Sequence, residues 1–164
     1  MSINSDDFRA VLSHFPSGVT IVTLKDGEER HGLTVSAFAS ISTEPPLIMV
    51  AINSNSPSNE YLQQDGASFG VNILAEEQTE LSNRFAWVKD EDRFAEGAWG
   101  TAETGAPILQ DSLAWLDFEV HAYHTAGTHI IYIGRAVASK VPRMNEKPLI
   151  YWNRGYRQLD IPAE

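Results

Sequence analysis

Two sets of side chains in this sequence suit the capture of a charged organic ligand: a stretch dense in hydroxyls and amides, and a few cations and imidazoles placed at turns. The stretch is Gly32 to Ser58, GLTVSAFASISTEPPLIMVAINSNSPS. Thr34, Ser36, Ser40, Ser42 and Thr43 open it, and Asn53-Ser54-Asn55-Ser56-Pro57-Ser58 closes it. Between them Pro45-Pro46 stops the chain, and the apolar run Leu47 to Ile52 reads as a buried strand bounded by turn formers. The closing loop is expected to start a helix, with Ser56 as N-cap and Pro57 at the first helical position. Hydroxyls beside free backbone N–H groups at such a start suit a phosphate. A β-hairpin with ordinary caps uses the same residues, and the stretch alone leaves both readings open.

The imidazoles give a weaker signal. His121, His124 and His129 surround one expected hairpin, a pattern that invites zinc. On a strand, positions 121 and 124 point to opposite faces, so they cannot share an ion without a distortion, and no carboxylate stands at a ligand spacing. No metal is expected. His129 follows the Gly127 turn and starts a strand at a rim, where it either orients a ligand or serves the fold. Arg84 lies on an expected helix as a surface or ligand-facing cation. The segment Trp152 to Arg157 mixes arginines with aromatics, which suits stacking and phosphate contact, or a dimer contact. No GxGxxG follows a strand, no GxxxxGK[ST] is present, and no serine lies in a GxSxG elbow.

These residues need elements to position them. Phe8, Val11, Leu12 and Phe15 have helical spacing, which predicts a helix over Asp6 to Phe15, capped by Ser5 or Asp6. Val19 to Leu24 is a β-branched strand, and the Asp26-Gly27 turn returns the chain around His31 to Val35. A short helix from Ser58 to Gln64, a strand Phe69 to Leu74 and a helix Ala75 to Ala86 follow. Asp90 to Thr104 reads as a long loop, a class often kept for function. Ser112 to His124 alternates, with Leu116, Phe118, Val120 and Ala122 on one face and Asp117, Glu119 and His121 on the other. His129 to Lys140 is apolar on both faces and pairs with it as a long hairpin. Pro148 to Trp152 is a last short strand. Hairpin-linked strands without repeated βα units predict a mainly β fold with short helices, an antiparallel barrel, as a single domain over residues 1–164.

Composition narrows the function. The chain has 164 residues and no cysteine, which removes disulfides, thiolate metal sites and thiol nucleophiles. Its net charge of −10 argues against nucleic acid and anionic membranes, whose binding needs a basic stripe. No apolar run approaches a membrane span, and the acidic N-terminus has no secretory pattern. A cytoplasmic protein acting on small molecules is expected.

An ordered set of segments carries a resemblance: Phe15-Pro16-Ser17-Gly18-Val19-Thr20-Ile21-Val22-Thr23, Gly32-Leu33-Thr34-Val35-Ser36-Ala37-Phe38, Pro45-Pro46-Leu47, Phe69-Gly70-Val71-Asn72-Ile73-Leu74, Arg84-Phe85 and Pro148-Leu149-Ile150-Tyr151. From Phe15 to Tyr156 the chain resembles the flavin reductase family with the FMN-binding split-barrel fold. The resemblance implies an NAD(P)H:flavin oxidoreductase that uses NADH or NADPH to reduce FMN or FAD. It also implies a homodimer and a partner flavin-dependent monooxygenase supplied with reduced flavin. Residues matching the flavin lining are Leu33, Thr34, Val35, Ser36, Ala37, Phe38 and Ser40. Ala51, Ile52, Asn53, Ser54 and Ser56 match the part that holds the ribityl chain and phosphate. Asn72 joins the cofactor-binding set, and Arg84 and Phe85 close it. The family's Gly-Asp-His motif reads Gly127-Thr128-His129 here, so His129 is the expected catalytic residue on the nicotinamide side, without the neighbouring carboxylate. Trp152, Asn153, Arg154 and Gly155 match an NAD contact segment. Two further expectations stay open beside this one: a split-barrel oxidase of pyridoxamine-phosphate type, against which the lack of Arg or Lys between Arg30 and Arg84 counts, and a flavin carrier without turnover.

Overall fold

A curled antiparallel sheet carries the fold of this protein, whose computed structural model describes residues 2–89 and 91–162. In chain order the helices are α1 (Ser5–Leu12), α2 (Ser58–Leu62) and α3 (Thr79–Trp87). The strands are β1 (Ser17–Gly18), β2 (Thr20–Asp26), β3 (Glu29–Val35), β4 (Phe38–Thr43), β5 (Pro46–Asn53), β6 (Ser68–Ile73), β7 (Trp99–Thr101), β8 (Pro107–Leu109), β9 (Ala114–Ala126), β10 (His129–Lys140), β11 (Ile150–Trp152) and β12 (Gly155–Arg157).

Seven strands form one sheet in the order β3-β2-β6-β9-β10-β5-β4. Its two edge strands, β3 and β4, are consecutive in sequence, so the sheet must curl back on itself. Val22 and Leu24 of β2 share one core with Val50 and Ile52 of β5, although β6, β9 and β10 lie between those strands in the sheet. Only a sheet rolled into a barrel brings them together, and the sheet order that ends at β3 and β4 leaves it split. The expected antiparallel split barrel is the fold observed.

A second core lies outside the barrel. Ile21 points away from Val22, as period two requires, and meets Leu74, Phe85, Phe94, Leu109 and Leu149. This explains why β2 is an unbroken β-branched run: both of its faces are covered. Phe85, Phe94 and Trp99 form an edge-packed aromatic cluster, with ring centroids 5.0 Å apart for Phe85–Phe94 and 4.8 Å for Phe94–Trp99.

Several boundaries differ from the sequence expectations. Asn4, not Ser5 or Asp6, caps α1, its Oδ1 accepting from the Asp6 and Asp7 amides at 3.0 and 2.8 Å. The helix ends at Leu12, and none of its residues is buried. α3 begins at Thr79 instead of Ala75, because Ala75 bridges Pro148 and donates its amide to Gln78 Oε1 at 2.9 Å. The expected loop from Asp90 to Thr104 contains a 3-10 turn (Arg93–Ala95) and β7, while Asp90 itself lies outside the described residues. Asp117, on the polar face of β9 with Glu119 and His121, is fully buried. The segment before β8 folds over it, and its carboxylate accepts from the Thr104 amide and hydroxyl at 2.8 and 2.5 Å. The tail after Trp152 turns back as β12, so β11 and β12 form a hairpin whose central residues, Asn153 (φ 48°) and Arg154 (φ 61°), are both left-handed. Two positive φ values match a type I′ turn.

Candidate functional site

One cleft of about 770 Å³ opens where β3, the loop after β5, the end of α3 and the segment around the 3-10 turn converge. Each wall follows from local chemistry. On β3, Gly32 leaves room for the Phe85 ring, which a Cβ at position 32 would collide with. Phe85 and Phe94, held by the second core, therefore press against the strand and form an aromatic wall. Arg93 ties the 3-10 segment to β3, its Nη1 donating to the Gly32 carbonyl at 2.7 Å. Arg30 lies 4.6 Å from the Phe94 ring centroid and 3.6 Å from Asp92.

Across from this wall stands the loop Asn53 to Ser58. Its backbone is fixed from within. The Ser54 amide donates to the Thr128 carbonyl (3.0 Å), the Ser56 amide to the Asn53 carbonyl (2.9 Å), and the Asn59 amide to the Ser56 carbonyl (3.2 Å). The Asn55 amide donates to Asn53 Oδ1 at 2.9 Å and the Ser58 amide to Ser56 Oγ at 3.4 Å. Anion capture by free amides at a helix start is therefore not what this loop offers. Pro57 rather than Ser56 occupies the N-cap of α2, which spans only Ser58–Leu62 instead of reaching Gln64. The polar residues that line the cleft include Asn53, Asn55 and Ser56. A hydroxyl that accepts through a lone pair keeps its hydrogen to donate, so Ser56 retains that capacity.

Beneath the loop, Tyr132 is fully buried. Its hydroxyl donates to Asn59 Oδ1 at 2.8 Å and accepts from Gln63 Nε2 at 3.2 Å. Burial pushes the Tyr132 phenol above its ordinary pKa. Asn59 in turn donates from Nδ2 to the Asn53 carbonyl at 2.8 Å.

Of the residues expected from sequence, Leu33, Asn53, Ser56 and Phe85 line this cleft. Thr34 lies beside them on β3 but directs its hydroxyl to the Ser82 carbonyl at 2.6 Å, fastening β3 to α3. Val35 and Ile52 belong to the barrel core, and Phe38 packs against it. Ser36 and Ala37 form the exposed link between β3 and β4, and Ser40 is exposed opposite Ile48. Ala51 is paired with Ile131, and Ser54 is exposed. Asn72 is fully buried: its Nδ2 donates to the Ile21 carbonyl (3.0 Å) and Thr23 Oγ1 (3.2 Å), and its Oδ1 accepts from the Leu109 amide (2.7 Å). That makes Asn72 a strut joining β2, β6 and β8. Arg84 braces the wall from behind, with Nη2 donating to the Asp92 carbonyl at 3.1 Å and ion pairs of 3.5 Å to Glu91 and Glu96.

His129 is exposed at the rim, opposite Asn53, with Nδ1 3.0 Å from Thr128 Oγ1. Trp152, Asn153 and Arg154 line a separate cleft of about 280 Å³ with Arg9, Leu12 and Phe15, and Gly155 begins β12. Within one chain the C-terminal hairpin and the His129 rim are not brought to a common cleft. Sequence reasoning missed Arg30, His31, Lys89, Asp92, Arg93 and Phe94, all on the cleft wall. The only sequence signal for the last three was the length of the polar segment, Asp90 to Thr104, that contains them.

The comparisons with known proteins fall on the same fold. The family described as "Flavin reductase like domain" matches residues 12–160. The chain is 35% identical over 154 residues to the FMN reductase (NADH) of Agrobacterium fabrum, covering 93% of this chain and 87% of that protein. It is 33% identical over 159 residues to the reductase subunit of a flavin-dependent monooxygenase of Mycobacterium tuberculosis, covering 96% of this chain and 84% of that one. Among solved structures, the styrene monooxygenase flavin reductase of Pseudomonas putida S12 superposes with a TM-score of 0.85 at 31% identity, covering 95% of this chain and 99% of that one. A family match across most of the chain, relatives of this identity and a shared split barrel agree, and this chain belongs to the flavin reductase-like domain family.

Proposed function

We propose that this chain is an NAD(P)H-dependent flavin reductase that passes reduced FMN or FAD to a flavin-dependent monooxygenase. The observation that carries the reading is the cleft itself, which the polar residues Asn53, Asn55 and Ser56 line together with the aromatic Phe85 and Phe94. A flavin has the matching pair of properties, a phosphorylated polar chain and a flat apolar ring system. When bound, the flavin and the nicotinamide supply the redox chemistry, a hydride passing from nicotinamide C4 to flavin N5. The chain's own task is to hold ligands at reacting distance. Asn53, Asn55 and Ser56 offer donors to a phosphate, and His129, next to Asn53 at the rim, orients the nicotinamide. NADH:flavin chemistry needs no thiol, and the sequence contains no cysteine.

Among the described residues no helix is long and apolar enough to cross a membrane. Cytoplasmic residence, where NAD(P)H is present, is part of this reading. So is a homodimer. Phe8, Val11 and Leu12 of α1 and the following Phe15 are 51–75% exposed, and Leu12 and Phe15 line a small cleft with Tyr151 and Trp152 of the C-terminal hairpin. Exposed apolar faces of this kind are covered in stable assemblies. Light scattering at micromolar concentration should give the dimer mass, and a monomer would remove this part of the reading.

The decisive experiment is a visible spectrum of the protein mixed with FMN or FAD, repeated after adding NADH. Bleaching of the flavin bands with steady-state NADH oxidation supports the reductase. Bound flavin that no nicotinamide reduces would make the chain a carrier instead.

A further inference from the structure

We infer that Tyr132 and Asn59 are positioning residues for the flavin phosphate, holding the Asn53–Ser58 loop in its binding geometry from inside the barrel. The inference rests on the flavin reading of the cleft and concerns residues that line none of it. Tyr132 belongs to β10, where it opposes Val50 of β5, and the barrel core surrounds its ring. A phenylalanine would fill that space, yet the chain places a hydroxyl there and supplies it with two partners, Asn59 Oδ1 at 2.8 Å and Gln63 Nε2 at 3.2 Å. A buried hydroxyl requires such partners to offset its desolvation.

Asn59 is 6% exposed and uses both ends of its amide. Oδ1 faces Tyr132, and Nδ2 donates to the Asn53 carbonyl at 2.8 Å. That carbonyl also receives the Ser56 amide at 2.9 Å. The chain of contacts therefore runs from the rigid barrel through Tyr132 and Asn59 to Asn53, and from Asn53 to Ser56. At the loop's other side, the Ser54 amide is tied to the Thr128 carbonyl at 3.0 Å. A loop fixed at both sides presents its side chains already ordered, and ordering them before binding removes that entropic penalty from the binding step. Without the Tyr132 hydroxyl, Asn59 loses the contact that sets its amide orientation, and the Asn53 carbonyl loses a defined donor.

The test compares ligands that differ only in the phosphate. Titrations of FMN and riboflavin into wild type, Tyr132→Phe and Asn59→Ala give two dissociation constants for each protein, alongside each melting temperature. The expected result is FMN binding weakened about 10-fold in either variant, with riboflavin changed less than about 2-fold. A double variant should lose little more than the larger single loss, because both residues act in one relay. A purely structural role would lower the melting temperature and weaken both ligands alike, or neither, and either result overturns the inference. Tyr132→Phe removes a single oxygen from a packed ring, so it keeps the test available if Asn59→Ala does not fold. If wild type binds FMN and riboflavin equally, the phosphate role of the loop is wrong, and this inference with it. If wild type binds no flavin, the parent reading fails, and that outcome is distinguished by the wild-type titration alone.

Discussion

His129 and Asn53 stand directly opposite each other on the paired strands β10 and β5. Opposed residues in an antiparallel ladder have Cα atoms about 4.5–5.5 Å apart, so the rim imidazole and the loop that faces the cleft form one continuous edge. The adjacent Ser54–Thr128 hydrogen bond of 3.0 Å locks that edge. Under the proposed function the nicotinamide lies against His129 at this edge.

His129→Ala should therefore leave flavin affinity unchanged and lower kcat/KM for NADH by about 1–3 kcal/mol, the range for one lost hydrogen bond to a charged or polarised group. Stopped-flow reduction of bound flavin, paired with a flavin titration, measures both quantities. Weakened flavin binding with normal reduction would move His129 to the flavin side.

Ser56→Ala removes a hydroxyl from the cleft wall without touching the amides that fix the loop, apart from the long 3.4 Å contact of the Ser58 amide. FMN affinity should fall by about 10-fold, close to 1.4 kcal/mol, while riboflavin is unaffected. Equal losses for both ligands would show that Ser56 shapes the loop and does not meet a phosphate.

Arg154 occupies a left-handed position (φ 61°) in a type I′ turn, where glycine is favoured. A side chain held there at some conformational cost points to a use for it, and Arg154 lines the smaller cleft beside Arg9. Arg154→Gly should raise the melting temperature by about 1–3 °C through relief of that strain. A lower melting temperature would mean that the arginine stabilises the hairpin through its contacts.

The Arg143 guanidinium beside Glu77 holds that carboxyl below its ordinary pKa. A depressed carboxylate contributes stability that is present above its unfolded value, about 4.3, and lost as pH falls through the lower folded value. With 55% of the Glu77 side chain exposed, screening limits the pair to about 0.5 kcal/mol. Glu77→Gln should lower stability slightly at pH 7 and flatten the acid limb of the stability profile just below pH ~4.3. Identical wild-type and variant profiles in denaturant titrations between neutral and acid pH would show that the pair contributes nothing.

Local patterns determined much of this protein. Period two in β9, the Asp26-Gly27 turn and the β-branched run of β2 are each written within a few residues, because side-chain alternation and turn geometry are short-range properties of the backbone. The order of hairpins followed from them, and with it an antiparallel barrel; its split form was what the family resemblance implied. Leu33, Asn53, Ser56 and Phe85 were legible as candidates because their segments match a family in ordered sequence, and all four line the cleft. Tertiary structure alone decided the rest. Asp117 follows the outward alternation of its strand yet is buried, since the segment carrying Thr104 covers that face. Asn72 lies in a strand whose neighbours β2 and β8 consume its amide, so a polar residue that looks available is a strut. The cleft joins residues 30–33, 53–58 and 85–94, and no local period links those segments. Closure of the sheet sets their separation. The pairing of β10 with β5 put Tyr132 under the loop after β5, a relation between residues 53 and 132 that strand register created.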